Sequence, residues 1–158
     1  MFRLWIKSYQ KLLETRPILT KTASASALLF AGDLVQQSRE TGPWDLSRAC
    51  RMGAWGFIAG PVLHLWFLRL ETLIPPHPAA RSAVLKMLVD QAVMAPPAFM
   101  TFVAFQGVLE GKSFNQITDK VKQDFWPVLS LNYMIWPAVQ TFNFFVVPQN
   151  QRVGFVFV

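Results

Sequence analysis

The stretch NYMIWPAVQTFNFFVVPQNQR, Asn132–Arg152, is apolar enough for a bilayer, yet it holds Asn132, Gln140, Asn143 and, in its middle, Pro137. Hydrocarbon offers an amide no hydrogen-bond partner, so a helix of this composition must keep one face away from lipid. Each residue of an α-helix turns by about 100°. On that ruler Asn132, Trp136, Gln140 and Asn143 fall within roughly 80° of one another. The stretch therefore predicts a membrane-spanning helix with one polar stripe turned towards protein or water.

The rest of the chain has the same character. Of its 158 residues, 53% are hydrophobic and 15% charged, against roughly 25% charged in an ordinary soluble domain. Such a chain has too few charges to coat a water-facing surface. Uncharged windows of 27 residues (between Asp124 and Arg152), 19 (Asp90 to Glu110) and 17 (Arg51 to Arg69) reach the length that crosses a bilayer. A fourth window, between Lys21 and Asp33, has 11 and becomes a span only if Asp33 lies inside it. These windows predict an all-α integral membrane protein: one membrane domain over residues 1–158, with four proline-kinked transmembrane helices at about 18–37, 51–70, 85–109 and 125–147. A soluble helical protein with buried core helices is the competing class, but the polar linkers are too few to cover it.

Residues 1–17, MFRLWIKSYQKLLETRP, place Phe2, Trp5, Ile6, Tyr9, Leu12 and Leu13 at helical spacing, with Arg3, Lys7 and Lys11 on the other side. That is a basic amphipathic helix suited to a headgroup layer or to mitochondrial import, or a plain lead-in to the first span. The linker IPPHPAARS, Ile74–Ser82, is too proline-rich to begin as helix. In GKSFNQITDKVKQD, Ser113 and Gln116 fit a capping box, and Phe114, Ile117, Val121 and Phe125 share a face. A short interfacial helix leading into the last span is expected there. Lys and Arg number nine on the N-terminal side of this scheme and six on the other, which favours an inward N-terminus.

Each predicted span carries a stripe. Thr22, Ser26, Asp33 and Gln37 share one side of the first, and Lys86, Asp90, Pro97 and Thr101 one side of the third. The second aligns Gly53, Gly56, Gly60 and His64, with GFIAG as a GxxxG motif that lets another backbone approach. Lys86 and Asp90, four residues apart, can pair on one helix face. Pro61, Pro96, Pro97 and Pro137 free carbonyls that side chains or water must satisfy. A hydrated interior meets all these demands, so Asp33, Gln37, Lys86, Asp90, Asn132, Gln140 and Asn143 are the candidate pore-lining residues. His64 and Trp136 are candidates for a constriction, and Gly53, Gly56 and Gly60 for helix packing. Interhelical glue with no path for solute is the alternative use of the same amides.

Other chemistry finds little support. EGKS, Glu110–Ser113, resembles the tail of a phosphate-binding loop, but Gln106 stands where that loop needs glycine. No GxSxG elbow, HExxH helix or catalytic acid pair occurs, so no enzyme and no cofactor is expected. One cysteine, Cys50, excludes an internal disulfide, and with only His64 and His77 beside it no zinc site is expected. The net charge of +6 is spread over linkers rather than interleaved with aromatics, which argues against direct nucleic-acid binding.

Four blocks then resemble a known family: GDLVQQ (Gly32–Gln37), GPVLHLWFLRL (Gly60–Leu70), KMLVDQAVMAP (Lys86–Pro96) and WPAVQTFNFFVVPQNQR (Trp136–Arg152). Their order is similar to that in the Mpv-seventeen and peroxisomal membrane twenty-two-kilodalton protein family. The last block, WPxxQxxNFxxVPxxxR, is the most specific. The resemblance implies a four-helix protein of the mitochondrial inner membrane, with the peroxisomal membrane as the alternative address. It also implies channel-like permeation of small solutes or ions, control of reactive oxygen species, and an indirect part in mitochondrial DNA upkeep. A non-conducting scaffold or stress-responsive protein acting through helix–helix partners, including a possible homo-oligomer, is the second expectation. Family members continue past the arginine matching Arg152 into a further apolar helix. Here VGFVFV follows, about 9 Å of helix, so a truncated or short chain is expected.

Overall fold

The computed structural model describes residues 2–75 and 79–157, with side chains from Ser8 onward. The apolar positions Phe2, Trp5 and Ile6, the cations Arg3 and Lys7, and Pro76, His77 and Pro78 of the proline-rich linker lie outside the described residues and side chains. All regular structure among the described residues is helical: α1 (Phe2–Thr15), α2 (Pro17–Gln37), α3 (Leu46–Leu73), α4 (Ala79–Val89), a π-helical turn (Asp90–Met94), α5 (Ala95–Leu109), α6 (Phe114–Val146) and α7 (Arg152–Val156). The chain forms two compact units, residues 1–70 with 147–158, and residues 71–146. Two stretches are long and apolar enough to cross a membrane, Pro17–Gln37 and the continuous run Ala79–Leu109. The helices α3 and α6, of 28 and 33 residues, measure roughly 42 and 50 Å at 1.5 Å per residue, more than the thickness of a hydrocarbon core.

In the first unit the break between α1 and α2 is local chemistry. A proline disfavours helical geometry in the residue before it, and Arg16 accordingly leaves the helix at φ −138° and ψ 62°. Pro17 then opens α2, where its missing N–H would have been unpaired in any case. Tyr9 and Ser24 hydroxyls meet at 2.9 Å, Thr20 Oγ1 donates to the Leu12 carbonyl at 3.0 Å, and Leu13 is buried, so α1 is tied back onto α2. The packing of α2 on α3 depends on glycine. A Cβ added at Gly56 would sit 2.5 Å from both Cα and N of Ser26, and one at Gly60 would sit 3.0 Å from Cα of Thr22. Ser26 Oγ seals the contact by donating to the Gly53 carbonyl at 2.6 Å. Helix α7 also packs against α2, with Val153 fully buried.

In the second unit α4 and α5 pack along α6. The change to π winding has a visible cause. Pro96 and Pro97 lack N–H groups and their rings need room beside the preceding turn. One extra residue in the turn supplies that room, and Ala95 N–H reaches back five residues to the Asp90 carbonyl. Helix α5 ends in a Schellman motif: Gly111, at φ +71°, and Lys112 donate to the carbonyls of Val108 and Gly107 at 3.0 and 2.9 Å. Ser113 and Gln116 form the predicted capping box, Ser113 N–H donating to Gln116 Oε1 at 2.8 Å and Gln116 N–H to Ser113 Oγ at 3.4 Å. The EGKS segment is thus a helix end followed by a helix start. The interfacial helix and the last span expected from the sequence are one uninterrupted helix, α6, which continues through Pro127 and Pro137.

Backbone atoms of Ser26 cannot give way as a side chain could. Gly56→Ala is therefore expected to force α2 from α3 and destabilise the fold by about 1–3 kcal/mol, as overpacking does. Gly32→Ala, with nothing within 4 Å of its added methyl, is expected to be neutral or to stabilise by up to about 1 kcal/mol, because glycine weakens a helix interior. Thermal melting of the two purified variants in the same detergent checks the contrast.

Candidate functional site: two buried polar networks

The candidate residues assemble into separate networks within the two units. In the first, α2 and α3 meet at the Ser38–Asp45 loop. Asp33 Oδ2 accepts from Gln37 Nε2 at 2.6 Å, and Asp33 Oδ1 accepts from Arg48 Nε at 2.8 Å. Gln37 is used at both ends: its Nε2 also donates to the Asp45 carbonyl at 2.9 Å, and its Oε1 accepts from Asp45 N–H at 2.7 Å. Asp45 in turn caps α3 through Arg48 N–H at 2.9 Å. The remaining face of the Arg48 guanidinium grips both oxygens of Glu40, at 2.8 and 3.0 Å. Asp33 and Gln37 are buried, but here they serve as the clasp of a corner. Nearer the start of α2, Lys21 Nζ and His64 Nδ1 lie 3.0 Å apart.

In the second unit Gln140 Nε2 of α6 donates to Asp90 Oδ2 in the π turn at 2.8 Å, and Asn143 Nδ2 donates to Gln140 Oε1 at 3.0 Å. Lys86 Nζ, one turn before Asp90, pairs with Glu71 Oε1 at 2.8 Å. Tyr133 O–H donates to the Gln91 carbonyl at 3.3 Å. The two faces of α6 divide sharply. Gln140 and Asn143 are 4% and 0% exposed, whereas Met134 and Ile135 are 78% and 59% exposed. Apolar side chains face outward and amides inward, the reverse of a water-soluble helix and the arrangement that lipid demands. Asn132 and Trp136 are half-buried on the same helix. Three buried polar atoms here, Gln91 Nε2, Asn132 Oδ1 and Asn143 Oδ1, have no hydrogen-bond partner among the described residues.

The residues that sequence reasoning missed are mostly the partners. Arg48, Glu40 and Asp45 lie in a linker and at its edge, where periodicity says nothing. Lys21 and Glu71 sit at the ends of predicted spans and read as ordinary flanks. Arg48 carried one local signal, since it stands three residues after Asp45, the spacing of an N-cap to its N–H donor.

The clasp has consequences for stability. Hydrogen bonding to Arg48 holds the Glu40 carboxyl below the usual carboxylate range, and Glu40 and Asp33 raise the Arg48 guanidinium further. Folded Glu40 binds a proton less readily than unfolded Glu40. The pair therefore stabilises at and above the ordinary carboxylate range, and its contribution disappears as pH falls through the lowered folded value. Glu40→Gln is expected to melt slightly below the wild type at neutral pH and to converge with it as pH falls, the difference being small because the pair is exposed. Arg48→Met strands the buried Asp33 carboxylate and is expected to cost about 1–3 kcal/mol at neutral pH. A melting series across pH for both variants tests these expectations.

The sequence profile of the Mpv17 / PMP22 family matches residues 107–158, which include the end of α5 and all of α6 and α7. Among curated proteins, protein SYM1 of Yarrowia lipolytica is 35% identical over 146 residues, 92% of this chain and 69% of that protein. The mitochondrial inner membrane protein Mpv17 of Xenopus laevis is 34% identical over 161 residues, 99% of this chain and 90% of its own length. PXMP2/4 family protein 1 of Dictyostelium discoideum is 34% identical over 159 residues, 96% and 78% of the two chains. No solved structure matches the chain. On these likenesses the chain belongs to the Mpv17 / PMP22 family and is a protein of the mitochondrial inner membrane.

Proposed function

We propose that this protein provides a permeation pathway for small solutes or ions across that membrane, bordered by the polar face of α6 and the π turn. One observation carries the reading: a buried carboxylate and amides, Asp90, Gln140 and Asn143, stand beside orphaned polar atoms inside an otherwise apolar region. An unpartnered amide in hydrocarbon costs several kcal/mol, whereas beside water it costs little. Non-helical winding at membrane depth is tolerated where it lines a water-filled cavity, and π turns are frequent at functional positions. In this reading all four long helices cross the bilayer and Trp136 narrows the path. Asp33 and Gln37 hold a corner. No catalytic step, no cofactor and no direct nucleic-acid contact is assigned. Effects on reactive oxygen species or mitochondrial DNA follow indirectly, through the solutes that move.

A second reading has support from the directness of the Asp90–Gln140–Asn143 chain, which joins α6 to the π turn without needing any solute. There the amides act as glue, and the protein is a scaffold working through helix–helix partners, including copies of itself. Crosslinking in native membranes that captures only a monomer counts against the scaffold.

Purified protein in planar bilayers is expected to conduct. Asp90→Asn keeps an acceptor for Gln140 but removes the charge, so in a salt gradient it is expected to move the reversal potential towards zero by weakening cation preference. Silence of the folded wild-type protein at all voltages would overturn the permeation reading.

A further inference from the structure

The pair Lys21–His64 has no part in the corner clasp or in the pathway proposed above. Lys21 is 3% exposed, and among the described residues its ammonium has no carboxylate within ion-pair reach; its one partner is an imidazole nitrogen. An ammonium only donates, so Nδ1 of His64 must accept, and the ring proton sits on Nε2. His64 is half-buried, which leaves that Nε2–H within reach of a ligand. Thr22 is next along α2 and lies against Gly60, one turn before His64 on α3. Its hydroxyl is buried and has no partner among the described residues. Every polar group free in this cluster can thus donate: two ammonium N–H groups, the imidazole N–H and the threonine O–H. A buried positive charge with spare donors and no counter-charge is expensive. Its complement is an anion with several acceptor oxygens.

Lys21 is four residues into α2, roughly 6 Å along the axis from the helix start, and the half-buried His64 ring is the less covered side of the pair. The first turn of α2 has no acid, and the N-terminal end of its macrodipole adds positive potential.

We propose that Lys21, His64 and Thr22 form a binding site for a phosphate-type oxyanion, at the membrane-interface end of the α2–α3 pair. The oxyanion is either free in water or the headgroup of an anionic phospholipid. The site is independent of the permeation reading, since it is detected by binding and not by flux.

The chain has two histidines, His64 and His77, so nitrogen-15 labelling of histidine gives a spectrum simple enough to assign with a His77→Gln variant. In zwitterionic nanodiscs, inorganic phosphate is expected to shift the His64 Nε2 signal saturably, while chloride at equal ionic strength does not. Lys21→Met is expected to weaken that binding by about tenfold or more, the loss of one charge-assisted hydrogen bond, whereas Lys21→Arg retains it. A shift absent with phosphate but present when phosphatidylglycerol is added to the nanodisc identifies the lipid headgroup as the source. The wild-type titration is decisive even if Lys21→Met fails to fold. If neither phosphate nor phosphatidylglycerol moves the signal, or chloride moves it equally, the site does not exist.

Discussion

Hydrocarbon cannot hydrogen-bond, and that constraint orders this whole structure. An amide or carboxylate left facing acyl chains costs more than most folding interactions return. Every polar side chain on the long helices must therefore find protein or water. Met134 and Ile135 face outward on α6 while Gln140 and Asn143 are shut in. The faces of the helix are sorted as a lipid solvent would sort them, apolar outward and amide inward.

The two units meet the same demand by different means. In the first, the acid on α2 is answered by a cation: Asp33 is held by Arg48, which also binds Glu40 and is positioned by Asp45. Close approach does the rest. Lacking a hydrophobic drive between helices in lipid, α2 and α3 gain contact by bringing backbones together at Gly56 and Gly60. In the second unit the acid at Asp90 is answered by an amide, Gln140, itself positioned by Asn143. The π turn at that point lies just before Pro96 and Pro97, and its extra residue makes room for their rings as α5 begins. No buried side-chain polar atom of Asp33, Gln37 or Arg48 in the clasp lacks a partner, whereas the amide chain ends at Asn143 Oδ1, which has none among the described residues. That difference is why the permeation reading rests on the second unit.

Membership of the Mpv17 / PMP22 family fits this division. The motif WPAVQTFNFFVVPQNQR holds both amides of the second network, Gln140 and Asn143, within the region that the family profile matches. The same motif ends at Arg152, a buried residue whose Nε donates to the Val147 carbonyl at 3.1 Å as α7 begins. One short block thus carries inward-facing amides, an outward apolar face and the turn after α6.

Much of this was legible in the residues. Low charge and long uncharged windows set the helical membrane class, because only closed backbone hydrogen bonding survives in lipid. Period 3.6 set the buried face of α6, and the Ser113–Gln116 capping box and the glycine face of α3 were readable from local spacing alone. What the sequence could not decide was which partner each polar residue meets. Lys86 and Asp90 suggested a pair along one helix, yet tertiary structure supplies Glu71 to the first and Gln140 to the second. Lys21 and His64, 43 residues apart, shared no pattern at all. Periodicity records which way a side chain points around its own helix. The distance to a side chain on another helix depends on how closely two backbones approach, and that is settled only when Gly56 lies against Ser26 and the chain turns back on itself.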